Sequence, residues 1–243
     1  MRFIIDERGK KYILSDENDF QSDLGIIKKE DIAKSNTGDS LVTHLNKEFK
    51  VIKPNINDFI ELMNRQCSIL IQKDIGVVLT HAGIGAGDRI VDAGTGAGAI
   101  ALHFGNIVGG TGMVYSYEIR EDFAKIAKEN IDLFGLTNIQ IKNKDIKEGI
   151  DEKEIDLIFL DLKKPYEIIE DVYKSLNLGG WIAIYSVYID GIKISYKILK
   201  KANFKDISIV ETLNREYEVK TQGIRPKTRM IGHSGYLLFA RKL

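Results

Sequence analysis

The fold of this sequence is decided by the stretch Val91-Asp92-Ala93-Gly94-Thr95-Gly96-Ala97-Gly98-Ala99. It follows a short predicted strand and precedes a predicted helix, which is the setting in which glycine-rich turns bind nucleotides. Gly94 and Gly96 allow the backbone to turn tightly and to approach a ligand. Gly98 and Ala99 allow the next helix to pack close to the sheet. The stretch therefore predicts a cofactor site where a strand ends.

The sequence beyond residue 88 alternates between strand and helix patterns. Strands are predicted at 89–91, 113–117, 139–141, 155–160 and 181–187, with further strands near 205–212 and 235–241. Helical patterns lie between them, such as Arg120–Phe134, whose apolar residues recur at helical spacing. Strands and helices in series predict an α/β fold with a doubly wound parallel sheet.

The first 54 residues show short strand patterns around turns. These patterns cover Arg2–Ile5, Tyr12–Leu14, Leu41–Thr43 and Phe49–Ile52. Short strands without a long helical period predict a small β module, which ends at Pro54. We therefore expect two domains, residues 1–54 and residues 55–243.

Composition and charge exclude several classes of protein. The 35 Lys and Arg residues balance 35 Asp and Glu residues, so a nucleic-acid site would have to be a local basic patch. The single cysteine, Cys67, excludes an internal disulfide, and the four scattered histidines predict no metal site. The N-terminus lacks the apolar run of a signal peptide, and no stretch approaches about 18 apolar residues. We expect a cytoplasmic protein without a membrane segment.

Acidic residues follow several of the predicted strands. Glu118 follows the second strand pattern, Asp145 the third and Asp161 the fourth. Because ligands of open parallel sheets bind beyond the carboxyl ends of the strands, we expect these acids and Asp92 to share one cleft. Glu118 stands twenty residues after Gly98 (118 − 98 = 20) and can accept hydrogen bonds from two ribose hydroxyls.

The type of cofactor is open to two interpretations. Gly94, Gly96 and Ala99 also fit the dinucleotide fingerprint G-x-G-x-x-G/A, so a nicotinamide dinucleotide is the alternative. Asp92 would repel a pyrophosphate and attract a sulfonium group. This charge favours S-adenosylmethionine.

The sequence resembles the tRNA (adenine-N1)-methyltransferase family over nearly its whole length. The most specific part of the resemblance is the C-terminal series Arg215-Glu216-Tyr217, Arg225-Pro226 and Gly232-His233-Ser234-Gly235-Tyr236-Leu237. Other parts are Lys73-Asp74-Ile75-Gly76, the glycine stretch, Ser116-Tyr117-Glu118, Asp145-Ile146 and Leu160-Asp161-Leu162. The resemblance implies a class I methyltransferase domain with a seven-stranded, mostly parallel sheet, an N-terminal module like a β-barrel, and a homotetramer.

The resemblance also implies roles for individual residues. The family methylates A58 of tRNA, and in archaea also A57, with S-adenosylmethionine as the methyl donor. The implied cofactor-binding residues are Leu70, Gly94, Gly96, Ala97, Gly98, Ala99, Glu118, Asp145, Ile146 and Asp161. Among them, Glu118 would bind the ribose, and Asp145 with Ile146 the cofactor adenine. Asp161 is also the implied catalytic residue, which would accept a hydrogen bond from the amino group of the target adenine.

Four residues are candidate contacts of the tRNA substrate. Tyr166 can stack on a flipped base, and Lys163 and Lys164 would form a basic rim beside Asp161. Arg225 lies in residues 215–243, where seven basic residues outnumber two acidic ones by five (7 − 2 = 5). Departures from the family pattern line the same pocket, namely Ile71-Gln72, Lys163-Lys164 and Tyr185-Ser186-Val187.

Two further functions share these features. A methyltransferase acting on another RNA base or on a small molecule would need the same cofactor residues, but transfer to a small molecule does not require the N-terminal module. A non-catalytic RNA-binding subunit would have no need of the intact glycine turn, Glu118 and Asp161. We therefore favour the RNA adenine-N1-methyltransferase.

Overall fold

The computed structural model describes all 243 residues, which divide into two compact units, Met1–Asn64 and Arg65–Leu243. The boundary predicted from the sequence follows Pro54, whereas the structure includes the helix Ile56–Leu62 in the first unit. None of the helices has both the length and the apolar content needed to cross a bilayer.

The first unit is built on a four-stranded antiparallel sheet and a separate two-stranded hairpin. Its elements are β1 (Phe3–Asp6), β2 (Lys11–Ile13), β3 (Phe20–Ser22), β4 (Gly25–Ile27), α1 (Lys29–Lys34), β5 (Ser40–Val42), β6 (Glu48–Ile52) and α2 (Ile56–Leu62). The sheet has the order β2-β1-β6-β5, and β3 pairs with β4. Ile4, Ile32 and Phe49 are fully buried at its core. The short elements β3, β4 and α1 lie outside the strand patterns predicted for this module.

The second unit contains a seven-stranded sheet in the order β12-β15-β11-β10-β7-β8-β9. Its elements are α3 (Gln72–Ala82), β7 (Arg89–Ala93), α4 (Ala99–Val108), β8 (Met113–Tyr117), α5 (Glu121–Phe134), β9 (Ile139–Lys142), β10 (Ile155–Leu160), α6 (Ile169–Ser175), β11 (Leu176–Ser186), α7 (Ile189–Lys201), β12 (Lys205–Val210), β13 (Tyr217–Lys220), β14 (Gly223–Pro226) and β15 (Tyr236–Arg241). Only β15 runs antiparallel to its neighbours. The predicted α/β class, with a mostly parallel, doubly wound seven-stranded sheet, is confirmed.

The strand order changes direction at β7. From β7 the chain continues to β8 and β9 on one side, and β10 then pairs with the other side of β7. Ligands of open α/β sheets bind at such a switch point, beyond the carboxyl ends of the strands. The glycine stretch follows β7 and Asp161 follows β10, so both lie at this point.

The alternation of side chains along the strands assigns the acidic residues to one face of the sheet. Val91 and Leu160 pack on one face, while Ile90 and Phe159 pack on the other with Phe104 of α4. Asp92, Ser116 and Asp161 share the parity of this second face. The sheet geometry therefore directs these polar side chains towards the side covered by α3 and α4.

A hairpin formed by β13 and β14 pairs only with itself. Val219 is 76% exposed and Ile224 is 70% exposed. This hairpin is not among the predicted strands, although it lies in the basic segment 215–243 that is expected to contact the substrate. A two-stranded hairpin with exposed apolar side chains is at best marginally stable by itself in water.

Candidate active site

The glycine stretch forms the turn between β7 and α4. Gly96 (φ +55°) and Gly98 (φ +87°) adopt left-handed backbone conformations, which side chains with a Cβ rarely adopt. A Cβ on Gly98 would lie 3.4 Å from the Cβ of Ala127 on α5. Asn130 of the same helix donates a hydrogen bond to the carbonyl of Ala97 at 2.9 Å. The turn is therefore held in place by α5 as well as by the sheet.

Gly94 keeps a space open between two strand ends. Its N–H donates to the carbonyl of Asp161 at 3.4 Å. A Cβ on Gly94 would lie 3.6 Å from Oε2 of Glu118 and 3.8 Å from Cδ2 of Leu162. A side chain at this position would occupy the space between Glu118 and Asp161, so glycine leaves it available to a ligand.

Glu118 is fixed at the tip of β8. Its side chain is 7% exposed, its Oε2 accepts from the N–H of Gly96 at 2.9 Å, and its Oε1 accepts from the N–H of Arg120 at 3.0 Å. Each carboxylate oxygen has two lone pairs, so each retains one for a further donor. The carboxylate is oriented in advance for two hydroxyl groups.

Asp161 lies at the open side of the cleft. Its side chain is exposed, and protein surrounds the cleft closely enough that desolvation raises the pKa of its carboxyl to about 6. At neutral pH the group is mainly ionised and can accept hydrogen bonds. Glu118 and Asp161 are expected to share one cleft, and the structure brings the carboxylate of Glu118 and the backbone carbonyl of Asp161 close to Gly94.

Asp92 is completely buried beneath the glycine turn. Its Oδ2 accepts from the hydroxyl of Ser116 at 2.5 Å, Thr95 Oγ1 lies 2.7 Å from that hydroxyl, and its Oδ1 has no hydrogen-bond partner. Burial raises the pKa of Asp92 to about 7, opposed by the Ser116 hydrogen bond and increased by the charges of Asp161 and Glu118. A negative charge on Asp92 would thus act on a ligand of the cleft only through the turn, and only while the carboxyl is ionised.

This buried carboxyl leads to a prediction about stability. Because its pKa is higher in the folded than in the unfolded protein, ionisation of Asp92 opposes folding, and this cost grows from about pH 4 to a maximum above about pH 7. We expect Asp92→Asn to be more stable than the wild type at pH 8, with an advantage that decreases towards pH 5. Thermal unfolding over this range measures the effect. Exposed Asp132→Asn is the control, and a pH-independent difference for Asp92→Asn would contradict the prediction.

Asp145 and Ile146 follow β9, and Leu70 precedes α3. Asp145 follows β9, the strand next to β8, and its Oδ1 accepts from the N–H of Lys147 at 2.9 Å. Ile146 is buried in the core on one face of the sheet, whereas Leu70 packs with Ile75 on the other. Asp145 therefore also caps a short turn, and its second carboxylate oxygen remains available.

Three of the four expected substrate residues follow Asp161 closely in the chain, and the fourth lies in a different element. Lys163 and Lys164 are exposed directly after Asp161, and Tyr166 lies half-buried in the short turn that follows. Lys164 Nζ lies 3.4 Å from the carboxylate of Glu167, and this ion pair partly neutralises the positive charge of Lys164. Arg225 lies instead in the β13–β14 hairpin, where it pairs with Glu218.

Sequence reasoning missed one residue that touches the glycine turn. A Cβ on Gly96 would lie 3.1 Å from Sγ of Cys67, so this half-buried thiol covers the turn. No sequence pattern connects Cys67 to a position 29 residues away (96 − 67 = 29). The contact arises from the fold alone.

Several motifs without an assigned role meet beside the cleft. Lys73 Nζ donates to Asp74 Oδ1 at 2.7 Å and to Ser234 Oγ at 2.6 Å. The Tyr185 hydroxyl donates to the Ser234 carbonyl, and its ring lies against Gly235. This network joins the start of α3 to the C-terminal motif and to the end of β11, and the separate motifs in the sequence did not reveal it.

Comparisons with known proteins match the class of protein expected from the sequence. The model of a family described as "tRNA methyltransferase complex GCD14 subunit" matches residues 50–225. A relative from Methanocaldococcus jannaschii, named tRNA (adenine(57)-N(1)/adenine(58)-N(1))-methyltransferase TrmI, is 38% identical over 99% of this chain and 94% of its own length. The tRNA (adenine(58)-N(1))-methyltransferase TrmI of Thermus thermophilus is 25% identical, with coverage of 98% and 94%.

Two solved structures cover the whole chain. A SAM-dependent O-methyltransferase from Thermotoga maritima superposes with a TM-score of 0.90 at 31% identity, over 100% of this chain and 92% of that protein. The tRNA (m1A58) methyltransferase TrmI of Aquifex aeolicus superposes with a TM-score of 0.81 at 25% identity, over 100% and 96%. Both support the class I methyltransferase fold.

Proposed function

The chain belongs to the GCD14 family of tRNA methyltransferases, and from this premise we propose that it transfers a methyl group from S-adenosylmethionine to N1 of a T-loop adenine of tRNA. The proposed target is the adenine at position 58, with position 57 as a further candidate. The observation that carries the proposal is that the carboxylate of Glu118 and the start of the segment after β10, at Asp161, both lie beside Gly94, in a chain whose relatives bear these names.

The cleft fits the proposed cofactor. A Cβ on Gly94 would fill the space beside Glu118, and the ordered carboxylate of Glu118 suits the two hydroxyls of a ribose. Leu70 and the turn Gly94–Ala99 would hold the methionine part, and Asp145 with Ile146 the adenine. When bound, the cofactor supplies a methyl group activated by its sulfonium sulfur. The negative charges of Asp161, Glu118 and partly ionised Asp92 favour a cationic ligand over a pyrophosphate.

The chain's own task is to place and polarise the target base. N1 of adenine takes part in base pairing or tertiary contacts in folded tRNA, so the base must be flipped into the cleft. Asp161 would accept a hydrogen bond from the N6 amino group, which increases electron density at N1 and stabilises the positive charge that methylation creates. A guanine presents a carbonyl oxygen at that position and would be repelled. Tyr166 would stack on the flipped base.

Substrate binding and self-association are part of the same proposal. Lys163 and Lys164 at the mouth of the cleft would contact tRNA phosphates, with Arg225 as a further contact. The exposed apolar side chains of the β13–β14 hairpin support burial against a second copy, in line with the proposed homotetramer. A tRNA substrate also supports the expected cytoplasmic location.

A labelling experiment tests the function directly. The protein is incubated with S-adenosylmethionine carrying a radioactive methyl group and with unmodified tRNA, and the labelled nucleotide is identified after digestion. We expect label in N1-methyladenosine from the T-loop. A tRNA in which the T-loop adenines are replaced by guanine is the matched control and should stay unlabelled. Absence of label in tRNA would refute the proposed function.

The Thermotoga relative favours a second candidate, because its description names transfer to oxygen. The same digestion decides between them, since a 2′-O-methylnucleoside separates from N1-methyladenosine. A non-catalytic subunit would transfer no label to any substrate. The intact turn Gly94–Ala99 and the orientation of Glu118 argue against such a loss of activity.

A further inference from the structure

Helix α7 carries a row of four exposed lysines, which we call the α7 lysine stripe: Lys193, Lys197, Lys200 and Lys201. At 3.6 residues per turn they fall within about 100° of the helix circumference and extend about 12 Å along the axis. The opposite side of the helix is formed by Ile192, Ser195 and Leu199, which are buried against the sheet. The stripe therefore faces solvent as a continuous basic surface.

The charges of the stripe are not compensated within the protein. None of the four lysines takes part in an ion pair or a side-chain hydrogen bond, and the only acid of the helix, Asp190, lies in the first turn. Lys200 and Lys201 lie in the last turn, where their positive charges interact favourably with the negative end of the helix dipole. Lys193 and Lys197 lie outside the last turn, and like charges at i and i+4 destabilise a helix by roughly 0.2–0.5 kcal/mol. The four positive charges are therefore available to an anionic partner.

The stripe begins beside the candidate active site. α7 starts three residues after Ser186 at the end of β11, and β11 pairs with β10, whose end leads into Asp161. The helix also packs against the turn Pro165–Ile168, which directly follows Lys163 and Lys164. The stripe thus lies on a helix that packs against the turn following Lys163 and Lys164.

We propose that the α7 lysine stripe binds the phosphate backbone of the tRNA substrate outside the methylated loop. The proposal rests on the proposed function, because that function supplies the polyanion that extends beyond the cleft. Phosphates repeat along a strand, so a row of lysines can neutralise several of them without reading the base sequence. The stripe would then increase the affinity for whole tRNA and would not take part in methyl transfer.

The test uses the double variant Lys193→Gln/Lys197→Gln. Glutamine retains good helix propensity, so the charges are removed while α7 is preserved. The matched control is Lys125→Gln/Lys128→Gln on α5, which removes the same charge from a helix that also exposes Glu121, Asp122, Glu129 and Asp132. Methylation of unmodified tRNA, direct tRNA binding and cofactor binding are measured for each protein between about 50 mM and about 200 mM salt.

We expect the stripe variant to raise KM for tRNA by about tenfold at low salt. The slope of log K for tRNA association, plotted against the logarithm of the salt concentration, should become less steep by about 1.4–1.8. Its kcat and its affinity for S-adenosylmethionine should equal those of the wild type. A change no larger than that of the control, or a loss confined to kcat, would overturn the proposal. If the wild type binds tRNA without methylating it, the proposed function fails, and the direct binding measurement still decides the role of the stripe.

Discussion

Asp161→Ala is expected to reduce methyl transfer by roughly 10²–10³-fold, while the affinity for S-adenosylmethionine changes by less than about tenfold. Asp161 is exposed, and its backbone carbonyl lies beside Gly94, which is also close to the carboxylate of Glu118. In the proposed mechanism the side chain accepts a hydrogen bond from the target adenine and stabilises the positive charge formed in the transition state. Its removal should therefore affect turnover far more than binding of the methyl donor.

Single-turnover methylation and cofactor titration separate these two effects. Asp161→Asn is the matched variant, because it keeps a hydrogen-bond acceptor of the same size without the negative charge, and we expect an intermediate loss. The pKa of about 6 predicts that the wild-type kcat/KM falls as the pH decreases through about 6, since protonation removes the charge. This decrease of kcat/KM at acidic pH should be absent from Asp161→Ala. Near-normal turnover of Asp161→Ala would refute the role of the residue.

Glu118→Gln is expected to weaken the affinity for S-adenosylmethionine by about 100-fold. The two carboxylate oxygens each accept a backbone N–H, from Gly96 and from Arg120. An amide has only one accepting oxygen, so its NH₂ group would face one of these donors. The variant thus loses both the acceptor for a ribose hydroxyl and the contact that orders the glycine turn.

Isothermal titration of each protein with S-adenosylmethionine measures this effect. Glu121→Gln is the control, since it removes the same charge from an exposed position three residues away in the chain (121 − 118 = 3). Thermal unfolding of both variants shows whether the fold is retained. An affinity of Glu118→Gln within a few-fold of the control would be incompatible with ribose binding by Glu118.

Much of the second unit could be predicted from local patterns. Buried parallel strands such as Ile155–Leu160 appear as apolar runs, and the helix Glu121–Phe134 shows helical periodicity and ends at Gly135, which has a φ of +91°. The β13–β14 hairpin was missed because its apolar side chains are exposed rather than buried. Its pattern therefore lacks the contrast between a buried and a solvated face.

The sequence by itself determined the α/β class, the turn Gly94–Ala99 and the acids at the ends of the strands, because these depend on glycine conformation and on the periodicity of neighbouring residues. Only the tertiary structure decided which acids meet. Strand order places Asp161 next to Gly94, and burial separates Asp92, which lies beneath the turn, from Glu118, which faces the cleft. The contact of Cys67 with the turn and the packing of α7 against the turn Pro165–Ile168 also depend on segments that are distant in the chain. No local pattern encodes such contacts, since pairing and burial are properties of the whole fold.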